Sequence, residues 1–350
     1  MHRFLAWAML GCVPAAIPAP AAQAASPIIG VNAYGANLDD MAANGVKTLR
    51  ISLFPNSVDF VVDAYRHGIS SVVIVYPFTG ASLKWQGPWG AAPLSRLDPQ
   101  EFIAGVTPLL NKLEAAGVRL AAIELGNEPN GGGFNGDIAS PGSGRVLGLA
   151  DLNNPNDAEA RPIAAGFRVY VKIMAALKDI RDHSKHNQQT PIITAGMANW
   201  GPPRAKAFNN GGVAVSLTDN IEFLRQNGID KYVDGYGVHV YPDADLRKPV
   251  VTRIASLEQL LFAACTRAKP CWLTEWGVGN ADQSCPAKDA ARRQVIGTIR
   301  DAFKHFVDEG RLSALIYYAW VGVPGNKIDG SAIWRCGSLT EAGRLALSPM

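Results

Sequence analysis

Eight short runs rich in β-branched and aromatic residues recur along the chain, and longer amphipathic stretches separate them. The runs are IIGVNAYG (28–35), KTLRISLF (47–54), SVVIVYPF (71–78), RLAAIELGNEP (119–129), PIITAGMAN (191–199), VDGYGVHVYP (233–242), CWLTEWGV (271–278) and SALIYYAW (313–320). Parallel strands need long crossover connections, usually helical, so this alternation specifies repeated βα units. Eight such units can close on themselves. We therefore expect an α/β fold, a (β/α)8 TIM barrel, rather than an open doubly wound sheet.

The helical stretches carry their own punctuation. EFIAGVTPLLNKLEAAG follows Asp98 and Pro99 and stops at Gly117, which are start and stop signals in the right places. AAGFRVYVKIMAALKDIRD precedes the fifth strand, SLTDNIEFLRQNG the sixth and AARRQVIGTIRDAFKHFVDEG the eighth, and SLTEAGRLAL covers the last. Two long loops, 80–99 and 130–160, follow the third and fourth strands. In a barrel they fall on the C-terminal face, where active sites are built. GGGFNG (131–136) has the spacing of a dinucleotide fingerprint, but it runs into ASPGSGR instead of opening a helix, so no nucleotide cofactor is expected.

At the N-terminus Arg3, the apolar run FLAWAML and small residues ending in AAQAAS read as a secretory signal over 1–25. Residues 26–350 are then expected to form a single catalytic barrel domain, exported to the periplasm or beyond. Lipid anchoring at Cys12 is a minor alternative, and no membrane association is expected after signal cleavage. The whole chain has a formal charge of only +3 and no clustered basic stripe, which argues against a nucleic-acid partner. A neutral substrate and a monomer are expected. Four cysteines follow the signal: Cys265, Cys271, Cys285 and Cys336. Three pairings are conceivable. The order of elements favours Cys265 with Cys271 and Cys285 with Cys336, and the lack of a C-x-x-C pair argues against a metal.

Two carboxylates stand at strand ends: Glu128 in IELGNEPN and Glu275 in CWLTEWG. Hydrolysis of a glycosidic bond with retention needs one carboxyl to attack and another to protonate the leaving oxygen. Alternation along the second strand turns Leu49, Ile51 and Leu53 outward, so Arg50 and Ser52 point inward. A buried arginine there needs a carboxylate partner. Glu124 shares the face of Glu128 one step deeper and is read as the partner of an inward cation. His239 and Tyr241 share the inward face of the sixth strand with Gly237. Trp85 and Trp89 fit either sugar platforms or loop anchors.

Asn127-Glu128-Pro129 after the fourth strand, with Glu275 ending the seventh, resembles glycoside hydrolase clan A, in particular families 5 and 39. The resemblance implies a retaining glycosidase without metal or cofactor, acting on β-linked oligo- or polysaccharides. It implies Glu128 as acid/base, Asn127 as partner of the sugar 2-hydroxyl and Glu275 as nucleophile. It further implies Arg50 near the nucleophile, His239 and Tyr241 as the sixth-strand pair, with the tyrosine hydroxyl donating to Glu275, and Trp320 as an aromatic platform. Gly126 departs from the bulkier residue many members carry there, which implies a more open edge. An inactive carbohydrate-binding barrel and a transglycosylase on the same site are the alternatives.

Overall fold

The computed structural model describes residues 26–33, 35–78, 91–138, 141–201, 212–242, 248–280, 282, 284–322 and 330–350. The signal segment with Cys12, and both Trp85 and Trp89, lie outside the described residues.

Eight parallel strands close into a barrel. They are β1 (Ile28–Asn32), β2 (Thr48–Ser52), β3 (Ser70–Val75), β4 (Ala122–Asn127), β5 (Ile192–Ala198), β6 (Tyr236–Val240), β7 (Cys271–Trp276) and β8 (Leu312–Tyr317). Each is followed by a helix: α1 (Leu38–Ala43), α2 (Val58–Arg66), α3 (Pro99–Ala115), α4 (Ala160–Asp182), α5 (Leu217–Gln226), α6 (Val250–Ala264), α7 (Ala290–Asp308) and α8 (Glu341–Leu347). The strands neighbour one another in chain order and β8 returns to β1, pairing Ile28 with Ala314 and Val31 with Tyr317.

Local chemistry accounts for the boundaries. Asp98 caps α3 by accepting from the Gln100 amide at 2.7 Å, with Pro99 at the first helical position, where its missing N–H costs nothing. Gly117 ends the turn after α3 at a φ of 70°, a left-handed conformation that glycine adopts without a Cβ penalty.

Two apolar layers hold the assembly. The outer faces of the strands pack against the helices in one extended core. Inside the barrel, Val72, Ala122, Ile193, Trp272, Ala314 and Ile316 form a separate apolar cluster. Farther toward the C-terminal ends of the barrel strands, the interior turns polar with Asn32, Arg50, Glu124, Thr194 and Thr274, all essentially buried. This polar layer is the floor on which the mouth of the barrel is built.

Both disulfides form as the order of elements suggested. Cys265–Cys271 clips the end of α6 to the start of β7, and Cys285–Cys336 ties the segment after β7 to the two-stranded hairpin after β8. Such bonds persist in oxidising compartments, which fits an extracellular or periplasmic protein. Among the described residues no helix is long and apolar enough to cross a membrane.

Candidate active site

Arg50 organises the mouth of the barrel. Its Nε and Nη2 donate to the two carboxylate oxygens of Glu124 at 2.6 and 2.9 Å, Nη1 donates to Glu275 Oε1 at 2.8 Å and to Asn32 Oδ1 at 3.0 Å, and Nη2 also reaches Asn127 Oδ1 at 2.8 Å. The guanidinium is fully buried. A buried cation is tolerable because every direction in which it donates meets an acceptor. Glu124 is in turn satisfied by the Gly196 amide at 2.8 Å and the Thr274 hydroxyl at 3.1 Å. Asn32 donates to the Thr274 carbonyl at 3.0 Å, tying β1 to β7 beneath the site.

Glu275 is held on both oxygens. Arg50 takes Oε1, and the Tyr241 hydroxyl donates to Oε2 at 2.7 Å. Burial, followed by the Glu275 charge, pushes the Tyr241 hydroxyl well above the ordinary tyrosine range, so it remains a donor at neutral pH. A register shift between Val238/Leu273 and His239/Glu275 marks a bulge in β7. In a regular strand Thr274 and Glu275 would face opposite sides. With the bulge, Thr274 reaches Glu124 inside the barrel while Glu275 reaches Arg50 and Tyr241.

A different distortion presents the neighbouring pair on β4. Gly126 has a φ of 84° and Glu128 a φ of 39°. These left-handed residues flank Asn127 and bend the strand end, so that Asn127 meets Arg50 while Glu128 meets His239. The glycine at 126 thus answers a backbone requirement. Positive φ at a glutamate costs on the order of 1–3 kcal/mol and persists only when the surroundings hold it. Here the Glu128 amide donates to the Gly196 carbonyl at 3.0 Å, and Asn130 locks the following turn to Ala198 and Val215 through its side-chain amide.

His239 bridges the two glutamates. Its Nδ1 lies 2.8 Å from Glu128 Oε1 and 3.5 Å from Glu275 Oε2, and its ring is 1% exposed. One oxygen from each carboxylate and this nitrogen all lie within 4.8 Å of one another. That spacing could span a metal ion, yet the Arg50 guanidinium already sits on Glu275 and opposes a further cation. Gly196 makes room for the imidazole: a Cβ there would come within 1.9 Å of His239 Nε2.

The structure therefore brings together Arg50, Asn127, Glu128, His239, Tyr241 and Glu275. Trp320 requires a correction. Its ring is fully buried, stacked on Trp334 with centroids 5.1 Å apart, so it offers no face to a ligand. The chain leaves β8 at Tyr317 and runs on beside β1, the Trp320 amide donating to the Asn32 carbonyl at 2.9 Å. Asn32, Thr274 and Gly196 were not anticipated from sequence. Their signal is weak there because a single buried asparagine or glycine at a strand centre looks like ordinary packing.

Fold and site together define an α/β barrel with a carboxylate pair at the C-terminal mouth. No protein-family model matches the chain, and no curated protein matches it. Solved structures do. A fungal β-1,4-galactanase structure superposes with a TM-score of 0.54 at 14% identity, over 91% of this chain and 93% of that one. A family 39 glycoside hydrolase from Bacteroides cellulosilyticus WH2 gives 0.51 at 12% identity, over 92% of this chain and 63% of that one. An exo-β-1,4-mannosidase from Opitutaceae bacterium strain TAV5 gives 0.58 at 13% identity, over 93% of this chain and 59% of that one. The chain thus spans less than two thirds of the last two. At these identities the similarity is one of fold.

Proposed function

We propose that this chain is a secreted, retaining glycoside hydrolase that cleaves β-linked O-glycosidic bonds of an oligo- or polysaccharide by double displacement. The observation that carries the reading is the approach of the Glu128 and Glu275 carboxylates to within 4.8 Å. Retaining enzymes hold their two carboxyl groups about 5–5.5 Å apart, whereas inverting ones leave about 6.5–9.5 Å for a water. That several solved structures of like fold are named as glycosidases supports the class.

The two carboxylates differ in setting, and the difference supports separate roles. Glu275 is gripped by Arg50 and Tyr241 and aims an oxygen at the anomeric carbon. Its attack breaks the bond to the leaving oxygen, which takes a proton from Glu128. Glu128 is the more open of the two, with 19% of its side chain exposed against 11% for Glu275, as a group that must meet leaving group and water requires. Glu128 then removes a proton from the incoming water, which attacks the same carbon and releases Glu275. Two displacements at one carbon return the starting configuration. Asn127, held through its Oδ1 by Arg50, keeps its amide hydrogens for a sugar hydroxyl. Residues 1–25 act as the export signal of a single catalytic domain over 26–350.

A panel of plant β-glucans, xylans, mannans, galactans and bacterial exopolysaccharides, with anomeric analysis of fresh products by NMR, tests the proposal. Reducing ends should appear with retained configuration from wild type and not from Glu275→Gln. Inverted products, or unchanged hydrolysis by that variant, would remove it.

A further inference from the structure

We infer that Phe54 and Tyr76 form a stacking platform for the pyranose ring of a second sugar unit, on the side of the reacting unit that the enzyme retains. The inference rests on the glycosidase reading of the Glu128–Glu275 pair and extends it to substrate length.

Four large apolar residues are exposed among those described: Phe54, Tyr65, Val251 and Phe262. Tyr65 lies on α2, and Val251 and Phe262 lie on α6, on the outside of the barrel. Phe54 alone lies at the mouth, two residues past β2. Phe54 is 39% exposed, and its ring lies parallel to that of Tyr76, with centroids 5.3 Å apart and 3° between the planes. Tyr76 is 8% exposed and rests against Phe78 at 5.5 Å, so one aromatic face is backed by two further rings.

The backbone that carries the ring is also held in a tight turn. The Phe54 amide donates to Ser57 Oγ at 2.8 Å, the Ser57 amide donates back to the Phe54 carbonyl at 3.0 Å, and Ser57 Oγ donates to the Ser52 carbonyl at 2.7 Å. The turn fixes where the side chain leaves the backbone, and the stack on Tyr76 orients its plane. Together they supply a rigid apolar plane, which the C–H face of a sugar can cover without any charged partner.

The platform is continuous with the catalytic floor. Arg50 and Ser52 occupy alternate inward positions of β2 and Phe54 follows two residues past its end, which places it at most about 13 Å along the chain from Arg50. The Tyr76 hydroxyl lies 3.2 Å from Ser52 Oγ, and Arg50, Glu124 and Glu275 all act on it electrostatically. Direction follows from the barrel order. Glu128 leans toward His239 on β6, which stands opposite β2 in the closed ring. The leaving oxygen lies on the Glu128 side, so the β2–β3 wall faces the retained part of the chain. An enzyme that grips a second retained unit releases products of two or more units in preference to single terminal sugars.

Binding of β-1,4-linked gluco-, manno-, xylo- and galacto-oligosaccharides of one to six units to Glu275→Gln, followed by calorimetry, tests this. Affinity for at least one series should rise with length, and Phe54→Ala in that background should weaken the longer members about tenfold while leaving the monosaccharide unchanged. Phe54→Trp should keep the gain. A length dependence that survives Phe54→Ala, or none in the parent, overturns the platform. Should the platform result hold while wild type releases no reducing ends from the same sugars, the glycosidase reading fails and the platform stands.

Discussion

Tyr241 and Glu275 share a hydrogen bond of 2.7 Å, donated by a hydroxyl that burial and the facing carboxylate hold well above its ordinary pKa. The folded protein keeps this proton more tightly than the unfolded chain does. Its contribution is complete below the ordinary tyrosine value, near pH 10, and is lost only as pH rises through the higher folded value. Tyr241→Phe should lower kcat by about 10–100-fold, the worth of a hydrogen bond to a charged group, with a small effect on KM. Tyr241 itself should stay protonated in the wild type across acidic and neutral pH. A tyrosinate absorbance signal below pH 8 that Tyr241→Phe removes would contradict this geometry.

Glu128 and Glu275 can be told apart chemically. Glu128→Ala should lose about 10²–10⁴ in rate on substrates with poor leaving groups and far less on activated aryl glycosides, where protonation matters little. Added azide should rescue it and give a glycosyl azide of retained configuration. Glu275→Ala should give the inverted azide. Identical products from both variants would contradict the assignment.

Arg50 and Glu124 form a buried pair whose partners cannot be removed singly without leaving an unpaired charge. Arg50→Ala and Glu124→Ala should each cost about 3–5 kcal/mol in urea unfolding. Glu124→Gln keeps the shape and an acceptor and should cost less. Equal losses for Ala and Gln would show that charge, and not shape or packing, is what Glu124 supplies.

Gly196 has no room for a methyl group beside His239. Gly196→Ala should displace the imidazole, reduce kcat and lower stability by about 1–3 kcal/mol, the usual range for overpacking. The NMR chemical shifts of the His239 ring provide a direct reading, since its environment should change even if the barrel stays folded.

The disulfides close loops of very different length, with sequence separations of 51 for Cys285–Cys336 and 6 for Cys265–Cys271. On chain-entropy grounds, replacing the first pair with serine should cost about 4 kcal/mol and the second about 2 kcal/mol. Calorimetric melting of the two double variants measures the order, and a reversed order would point to native-state interactions instead of loop closure.

Strand and helix positions were readable because hydrophobic period and turn chemistry are local properties of the chain. Glu128, Glu275 and Arg50 were readable for a related reason: a charge at an inward or terminal strand position conflicts with burial and calls for a function or a partner. Other features escaped this reasoning. Strict alternation puts Thr274 and Glu275 on opposite faces, and only the bulge in β7 lets both act within the mouth. Trp320 read as a platform because sequence carries no record of where the chain turns after β8. The stack of Phe54 on Tyr76 joins residues from adjacent strands, and neither is unusual alone.

The sequence by itself thus determined an eightfold barrel and named the carboxylates at its mouth, because periodicity, capping residues and the cost of burying charge act over a few residues at a time. Tertiary structure alone decided which oxygens Arg50 and Tyr241 hold, how close Glu128 comes to Glu275, and which aromatic face remains open. Those outcomes depend on register, bulges and left-handed turns, which are set by packing between strands distant in the chain.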